Sequence, residues 1–427
     1  MKARINVNFD NLIHKLVCLY AFFIPFERVL KVFFSIDTIL KPYRIVAILI
    51  ILSFGLKLFF RWNSNKEIKE DIFLYLLFVY GLIITLFRML TAKFYLGYLL
   101  NDLFQMGLYL AIFIVIRHIN LNVKKVFTIL KYLTVGIVLN SIYVFYSYYF
   151  LFHIRRQGGF MDNPNYLALS LVIAIVLLIM RRSEFKGTFR KILWTILVFF
   201  LGYVFTITGS RTGFVLLSVC FLIMFLFFSK KQKWAIFLIF IGLFTFFQID
   251  SLSTYNNSSS LILVRRLKNK ANTEDVRIPI WKGTIRAANA SNFLGLGVGQ
   301  FKGRFKEFYK EENNSQIRRM VERDYFFSPH SDYLAILVIY GLPGLIFYIL
   351  FLALTGRKIL YQVRSAIDID QKTYYQYSLL ILTIVVIFGI TSESFNSALF
   401  WILLSICSTS EVLQVENENE ELIQIEE

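Results

Sequence analysis

The segment from Ser331 to Ala353 reads SDYLAILVIYGLPGLIFYILFLA, and it contains a single charged residue, Asp332. About 20 mostly apolar residues suffice for an α-helix to cross the hydrocarbon core of a bilayer. The backbone of such a segment must satisfy its own hydrogen bonds, which a helix does internally. The segment therefore predicts a transmembrane helix.

Similar segments recur along the chain, so the sequence predicts an all-α, polytopic integral membrane protein with about twelve transmembrane helices. The first span is the weakest prediction because Pro25, Glu27 and Arg28 interrupt it. The composition agrees, since 57% of residues are hydrophobic and only 17% are charged, which argues against an ordinary water-soluble enzyme. In chain order, the predicted spans are 12–33, 43–60, 72–90, 96–116, 126–150, 165–180, 191–208, 212–228, 234–249, 331–353, 377–391 and 394–410.

The net charge of +18 is compatible with nucleic-acid binding or with a membrane protein that follows the positive-inside rule. The N-terminal segment and alternate segments between the spans together contain 21 Lys and Arg residues, and twelve spans would put all of them on one side. We therefore predict a multi-pass protein of the plasma (inner) membrane with both termini in the cytoplasm. Topology accounts for this charge, so no nucleic-acid partner is predicted.

The predicted organisation has four parts. Residues 1–249 hold the first nine spans, 250–330 form a large extracytoplasmic loop, 331–410 hold the last three spans, and 411–427 form an acidic cytoplasmic tail. The loop contains 14 Lys and Arg residues. Long loops cross the membrane regardless of charge, so this positive charge suggests an anionic ligand such as phosphate. The alternative is a solvated loop with scattered basic residues.

Four polar segments lie at predicted outer ends of the spans: 153–165, 208–213, 277–286 and 327–333. His330 is a candidate general base because imidazole titrates near neutral pH. His153 is its rival. Glu393, after the eleventh span, is a further candidate because acidic groups at membrane depth are usually functional. Arg211 and Trp281 also have purely structural explanations. An Arg in a short turn can extend its guanidinium to the membrane surface, and Trp commonly anchors a helix at the membrane interface.

Other motifs carry less information. The glycine-rich run Gly295–Gly299 lacks the lysine and the strand–turn–helix context of a nucleotide loop, so it predicts a tight turn. The acidic pair Asp368 and Asp370 has no supporting acids, and we do not assign it a metal. The cysteines all lie in predicted spans and are expected to be packing residues. We predict no metal site and no cofactor.

The polar segments resemble, in their order, the O-antigen ligase and polymerase superfamily of bacterial envelopes. The matching pieces are the Gly-Phe…Asn-Pro-Asn turn up to Asn165, Ser210-Arg211-Thr212, Arg277 before Trp281, Phe293-Leu294-Gly295-Leu296-Gly297, Pro329-His330-Ser331 and Gly341-Leu342-Pro343-Gly344. The resemblance covers roughly residues 150–350. It implies an inverting, metal-independent glycosyltransferase that uses an undecaprenyl-pyrophosphate-linked oligosaccharide on the outer membrane face.

The resemblance also implies roles for individual residues. Arg211 and Arg277 would hold the pyrophosphate, and His330 would lie near the acceptor hydroxyl. The chemistry fits, because guanidinium groups stay charged and bind phosphate oxygens in pairs. The remaining substrate-binding candidates are Arg156, Asn163, Asn165, Trp281, Arg286 and Glu393.

The motifs do not separate a polymerase, which joins lipid-linked repeat units, from a ligase, which transfers glycan to lipid A core or another acceptor. The high Lys, Asn, Ile and Phe content is typical of an AT-rich genome and favours a host without lipid A, and therefore a polymerase of a capsule or exopolysaccharide. A flippase and a chain-length regulator are then expected as partners. A lipid-linked oligosaccharide flippase is the alternative from another class, but mid-span charges are few and the one long loop has no counterpart in the other half of the chain.

Overall fold

The computed structural model describes residues 9–35, 41–60, 71–91, 94–119, 121–151, 156–161, 163–227, 277–310, 314–323, 326 and 328–409. All regular secondary structure in these ranges is helical, which confirms the predicted all-α class. The helices are α1 (Phe9–Phe23), α2 (Val29–Phe34), α3 (Pro42–Phe60), α4 (Ile72–Thr91), α5 (Leu96–His118), α6 (Val123–Tyr146), α7 (Pro164–Met180), α8 (Thr188–Thr208), α9 (Arg211–Phe227), α10 (Arg277–Ala290), α11 (Gln300–Tyr309), α12 (Ser315–Glu322), α13 (Asp332–Ser365), α14 (Ile369–Thr391) and α15 (Ala398–Ser408).

Eight helices in the described part of the chain are long and apolar enough to cross a membrane. Three shorter apolar helices, α7, α9 and α15, coincide with the sixth, eighth and twelfth predicted spans. The ninth predicted span, 234–249, lies outside the described residues, as does much of the predicted loop before Arg277. The multi-span architecture is therefore supported, whereas the count of twelve stays a prediction.

The first predicted span, 12–33, corresponds to a candidate membrane span at Phe9–Phe26, but its second half is not a continuation of the same helix. Helix α1 ends at Phe23, a 3₁₀ turn follows at Ile24–Phe26, and α2 begins separately at Val29. Pro25 lies in the first turn of the 3₁₀ segment. A proline removes one helical hydrogen bond and clashes with the preceding turn, which explains the break.

The helix of the tenth span is longer than predicted. Helix α13 continues to Ser365, well into the segment 354–376 that was expected to be a cytoplasmic loop, and α14 already begins at Ile369. Arg and Lys are good helix formers, so the helix continues where the apolar sequence ends. Asp368 caps α14 by accepting a hydrogen bond from the backbone N–H of Gln371 at 2.9 Å, which gives this acid a structural role.

Helix α13 is interrupted at Gly341, whose φ of 68° is not helical. The glycine-rich turn predicted at 295–299 packs against this break, and its glycines at 295, 297 and 299 all have positive φ. Backbone hydrogen bonds join the two segments, from Leu296 N–H to the Val338 carbonyl at 2.9 Å and from Leu342 N–H to the Phe293 carbonyl at 2.7 Å. Two motifs distant in sequence therefore form one structural unit.

Helix α7 lies at the centre of the bundle, in contact with α6, α8, α9 and α14. Every residue from Leu167 to Met180 is buried, as expected for a helix that is apolar on all sides. The three cysteines are buried and carry free thiols, in agreement with their predicted packing role.

Lys125 and Arg181, two of the described basic residues expected in the cytoplasm, lie at the same end of the helix bundle. The guanidinium of Arg181, after α7, lies 3.7 Å from the ring centroid of Phe127 near the start of α6. His14 in α1 contacts the carbonyl of Lys125 at 3.1 Å. This common end agrees with the charge asymmetry of the sequence, and we call it the basic end. Its orientation to the cytoplasm remains a prediction.

We predict that Gly295→Ala destabilises the protein. A Cβ atom there would lie 2.6 Å from the carbonyl oxygen of Ile339, and the φ of 99° is unfavourable for alanine. A positive φ alone costs about 1–2 kcal/mol, so thermal unfolding of the detergent-solubilised protein should begin at a lower temperature. Gly55→Ala is the matched control because a Cβ at Gly55 meets no atom within 4 Å. Equal unfolding temperatures for the two variants would contradict the prediction.

Candidate active site

Four helix N-termini meet at the end of the bundle opposite the basic end. They belong to α7, α9, α13 and α15, and each has a side-chain cap. The capping residues are Asn163, Ser210, Ser331 and Ser397. Unpaired N–H groups and the helix dipole make such ends attractive to anions. Their convergence gives this region a positive potential inside an otherwise apolar bundle.

Asn165 connects the starts of α7 and α9. Its side-chain oxygen accepts hydrogen bonds from the Ser210 hydroxyl and from the Arg156 guanidinium, both at 2.9 Å. Arg156 also donates from Nε to the carbonyl of Thr208 at 2.9 Å. These contacts fix the tight turn that leads into Arg211.

Arg211 is the first residue of α9 and is half-buried. Among the described residues, its guanidinium has no hydrogen-bond or ion-pair partner. The next residue, Thr212, contacts Thr391 at the end of α14, with 3.1 Å between the hydroxyl oxygens. A partly desolvated guanidinium at a helix N-terminus, with no partner among the described residues, is suited to bind an anion.

The start of α13 is bound to the loop between α14 and α15 through Asp332. This fully buried carboxylate accepts hydrogen bonds from the Ser394 hydroxyl at 2.5 Å and from the Phe395 N–H at 2.7 Å. A buried charge needs such donors to persist. The contacts position the neighbouring Glu393, whose backbone carbonyl accepts a hydrogen bond from the Tyr166 hydroxyl of α7.

His330 lies directly before this capped helix start, in a left-handed conformation with φ of 52°. Few non-glycine residues adopt this conformation, and such backbone strain is often found at functional sites. Its Nδ1 lies 3.4 Å from the Ser328 hydroxyl, while Nε2 has no partner among the described residues. Burial, and secondly the positive charge of Arg277, lower the pKa of the imidazole below 6.5. The lowered pKa favours the neutral imidazole, and Nε2 is unengaged by the described residues, as a general base requires.

Helix α10 reaches the same place. The indole N–H of Trp281 donates to the carbonyl of Pro329 at 3.1 Å, which ties α10 to the residue before His330. Arg277 lies about one turn earlier in α10 and is close enough to lower the His330 pKa. The structure thus brings together the arginine and the histidine that the sequence had placed at separate positions.

Glu393 lies on the same side of the cluster. Its Oε1 accepts a hydrogen bond from the Asn396 side chain at 2.7 Å, and its buried Oε2 has no hydrogen-bond partner within the described residues. Burial raises the pKa of the carboxyl group, whereas the nearby side chains of Asn396 and Ser328 lower it. Ser328 therefore lies between Glu393 and His330.

The other predicted site residues have different positions. Arg286 is not brought into the cluster, because its Nε binds the carbonyl of Phe308 in α11 at 3.1 Å. Arg156 and Asn163 take part in the hydrogen bonds that hold α7 and the α8–α9 turn. The rival base His153 lies outside the described residues.

Three residues of the cluster were not predicted from the sequence, namely Asp332, Ser328 and Tyr166. Asp332 had a usable signal, since it is the only charge in its apolar segment and acidic groups at membrane depth are commonly functional. Ser328 and Tyr166 have no such signal, because their roles depend on contacts with residues far along the chain.

The cluster thus combines cationic groups and helix N-termini with a neutral imidazole. In the described ranges, no three His, Cys, Asp or Glu side chains gather as a metal ion would need. The arginines suit an anionic group such as a pyrophosphate, and the imidazole suits a hydroxyl proton. Such an arrangement is suited to a reaction in which a hydroxyl displaces a phosphate or pyrophosphate leaving group from the group that is transferred.

Residues 195–349 match the family model described as O-antigen ligase. The match runs from α8 into α13 and includes Arg211, Arg277 and His330. This match confirms the resemblance to the O-antigen ligase and polymerase superfamily that was drawn from the motifs. No curated protein matches the chain.

We predict that Arg277→Gln raises the pKa of His330, because it removes a positive charge that disfavours the imidazolium. Burial is the larger cause, so the pKa should remain below 6.5. The pH dependence of His330 acylation by diethyl pyrocarbonate, quantified by peptide mass spectrometry, measures this shift, since only neutral imidazole reacts. Lys282→Gln is the control because it removes an exposed charge from the same helix. If the pH dependence of His330 acylation is the same in Arg277→Gln as in the wild type, the charge of Arg277 does not lower the pKa of His330, and the prediction is wrong.

Proposed function

We propose that the protein is a polysaccharide repeat-unit polymerase. It transfers glycan from an undecaprenyl-pyrophosphate-linked donor to a sugar hydroxyl of a lipid-linked acceptor on the outer face of the plasma membrane. The observation that carries the proposal is the approach of Arg277 to His330 within the region that matches the O-antigen ligase family, a region that also includes Arg211. Members of that family are glycosyltransferase-like enzymes of O-antigen assembly.

In the proposed reaction, the acceptor hydroxyl lies at the free Nε2 of His330. The imidazole takes the hydroxyl proton as the acceptor oxygen attacks the anomeric carbon and the bond to the pyrophosphate oxygen breaks. The leaving pyrophosphate carries the developing negative charge. Arg211, Arg277 and the helix N-termini stabilise this charge, because guanidinium groups and oriented N–H groups are in place before the reaction.

Glu393 and Asp332 have separate proposed roles. Glu393, whose pKa is raised by burial and whose Oε2 has no hydrogen-bond partner among the described residues, faces the acceptor side and binds a sugar hydroxyl. Asp332 is a positioning residue, because both of its oxygens already bind the loop that carries Glu393. Asn165 and Arg156 position Arg211 in the same way through the α8–α9 turn.

We predict that His330→Ala lowers the rate of chain elongation by about 10²–10⁴-fold, the usual contribution of a positioned general base. Arg211→Ala should lower it by about 10²–10³-fold, as for the loss of one donor to a developing anion. Arg211→Lys should restore only part of the rate, because an ammonium lacks the paired geometry. The measurement is glycan length in cells and in vitro, with Lys310→Ala as the control for an exposed charge outside the cluster. Normal chains from either alanine variant that is present in the membrane would contradict the assignment.

The pH dependence follows from the lowered pKa of His330. A general base must be neutral, so kcat/KM should be constant near pH 7 and fall as pH drops through a pKa below 6.5. Arg277→Gln should move this acidic limb to higher pH. If the fall of kcat/KM at acidic pH is unchanged in the residual activity of His330→Ala, that fall belongs to another ionisable group.

The decisive experiment uses the purified full-length protein in nanodiscs with a lipid-linked repeat unit. A ladder of longer lipid-linked products without any other acceptor supports a polymerase. Product that forms only after lipid A core is added would show a ligase instead. A deletion strain distinguishes the transporter, since loss of a flippase traps repeat units inside the cell, whereas loss of a polymerase leaves single repeats outside.

A further inference from the structure

A cavity of about 600 Å³ lies at the basic end of the bundle, between the start of α6, the end of α7 and the start of α8. Helix α7 separates it from the candidate active site, and its 17 residues span about 25 Å. The cavity is therefore a different site, and none of the catalytic candidates lines it.

The inner part of this cavity is an apolar groove between α6 and α8. Its lining includes Phe127, Val135, Val138, Leu139, Leu177 and Leu197. Along α6 the lining runs from Lys124 to Leu139, which is about 22 Å of helix. One leaflet contributes about 15 Å of hydrocarbon, so the groove is long enough to hold an acyl chain.

The mouth of the groove is basic. Lys124, Lys131, Arg181 and Arg190 line it, against the acids Glu184 and Asp370. Arg181 is already ion-paired with Glu184. The exposed side chains of Lys124, Lys131 and Arg190 make no ion pair with a described residue. Helix α8 also begins here, and no side chain caps it, so its N–H groups add positive potential.

Lys131 is the most informative of these residues. It lies two turns into α6, about 10 Å from Lys124 along the helix axis. An ammonium group at this depth is unfavourable unless it extends towards the membrane surface or meets a negative charge. A phosphate group at the mouth supplies that charge.

We propose that this groove binds an anionic phospholipid of the bilayer, such as phosphatidylglycerol. The phosphate lies among Lys124, Lys131 and Arg190, and one acyl chain lies along the apolar groove. Basic pockets between transmembrane helices on the cytoplasmic side are suited to anionic lipid headgroups. A soluble phosphate would use only the mouth and leave the long apolar wall without a partner.

The test uses the full-length protein in a neutral detergent and measures retained lipid by native mass spectrometry. Phosphatidylglycerol should be retained in preference to phosphatidylcholine. Each basic residue near the surface contributes about fivefold in binding, so the combined variant Lys124→Gln, Lys131→Gln, Arg190→Gln should lose this preference. The variant Lys186→Gln, Lys191→Gln, Arg364→Gln removes as many charges outside the groove and should keep it.

A second variant tests the apolar part. Leu139 is 44% exposed and lines the groove, so Leu139→Trp should fill the space and weaken binding of the acyl chain without unfolding the protein. Wild-type retention of phosphatidylglycerol in the triple groove variant would overturn the proposal. Equal retention of phosphatidylcholine would also overturn it, as would complete competition by free glycerol 3-phosphate, which would show a soluble-anion site.

Discussion

Two hydrogen bonds to the buried carboxylate of Asp332 hold the candidate active site together. They join the start of α13 to the loop between α14 and α15, two segments about 60 residues apart in sequence. Without these donors, a charge in an apolar bundle would be very unfavourable, so the two segments must stay in contact. The same contact places His330 before the helix and Glu393 on the loop, which brings the two groups to opposite sides of Ser328.

The site also depends on where the helices begin. Four N-termini in one place raise the local positive potential, and their caps satisfy only part of the N–H groups. Arg211 adds a half-buried cation without a described protein partner. The nearby acids make their hydrogen bonds elsewhere, Asp332 with Ser394 and Phe395 and Glu393 with Asn396. An anionic ligand is the natural counterpart of such a region.

The described basic residues form two groups that the total charge conceals. Those near α6, α7 and α8 lie at the basic end, where they agree with the positive-inside pattern and surround an apolar groove. Arg211 and Arg277 lie at the other end, beside helix N-termini and the neutral imidazole of His330. A polyprenyl pyrophosphate and a phospholipid are both anionic lipids, but the groups proposed to bind them are at opposite ends of α7.

The sequence alone determined the helical class, the approximate positions of the spans and the motifs with Arg211, Arg277 and His330, because apolar length and local turn residues are local properties. It identified Pro25 as an interruption of the first span but still extended that span to residue 33, and it ended α13 too early because helix-forming basic residues continue a helix beyond the apolar sequence. Only the tertiary structure decided that Arg286 is directed to α11 and that Asp332 anchors the loop carrying Glu393. These are contacts between distant segments, and they depend on how the helices pack.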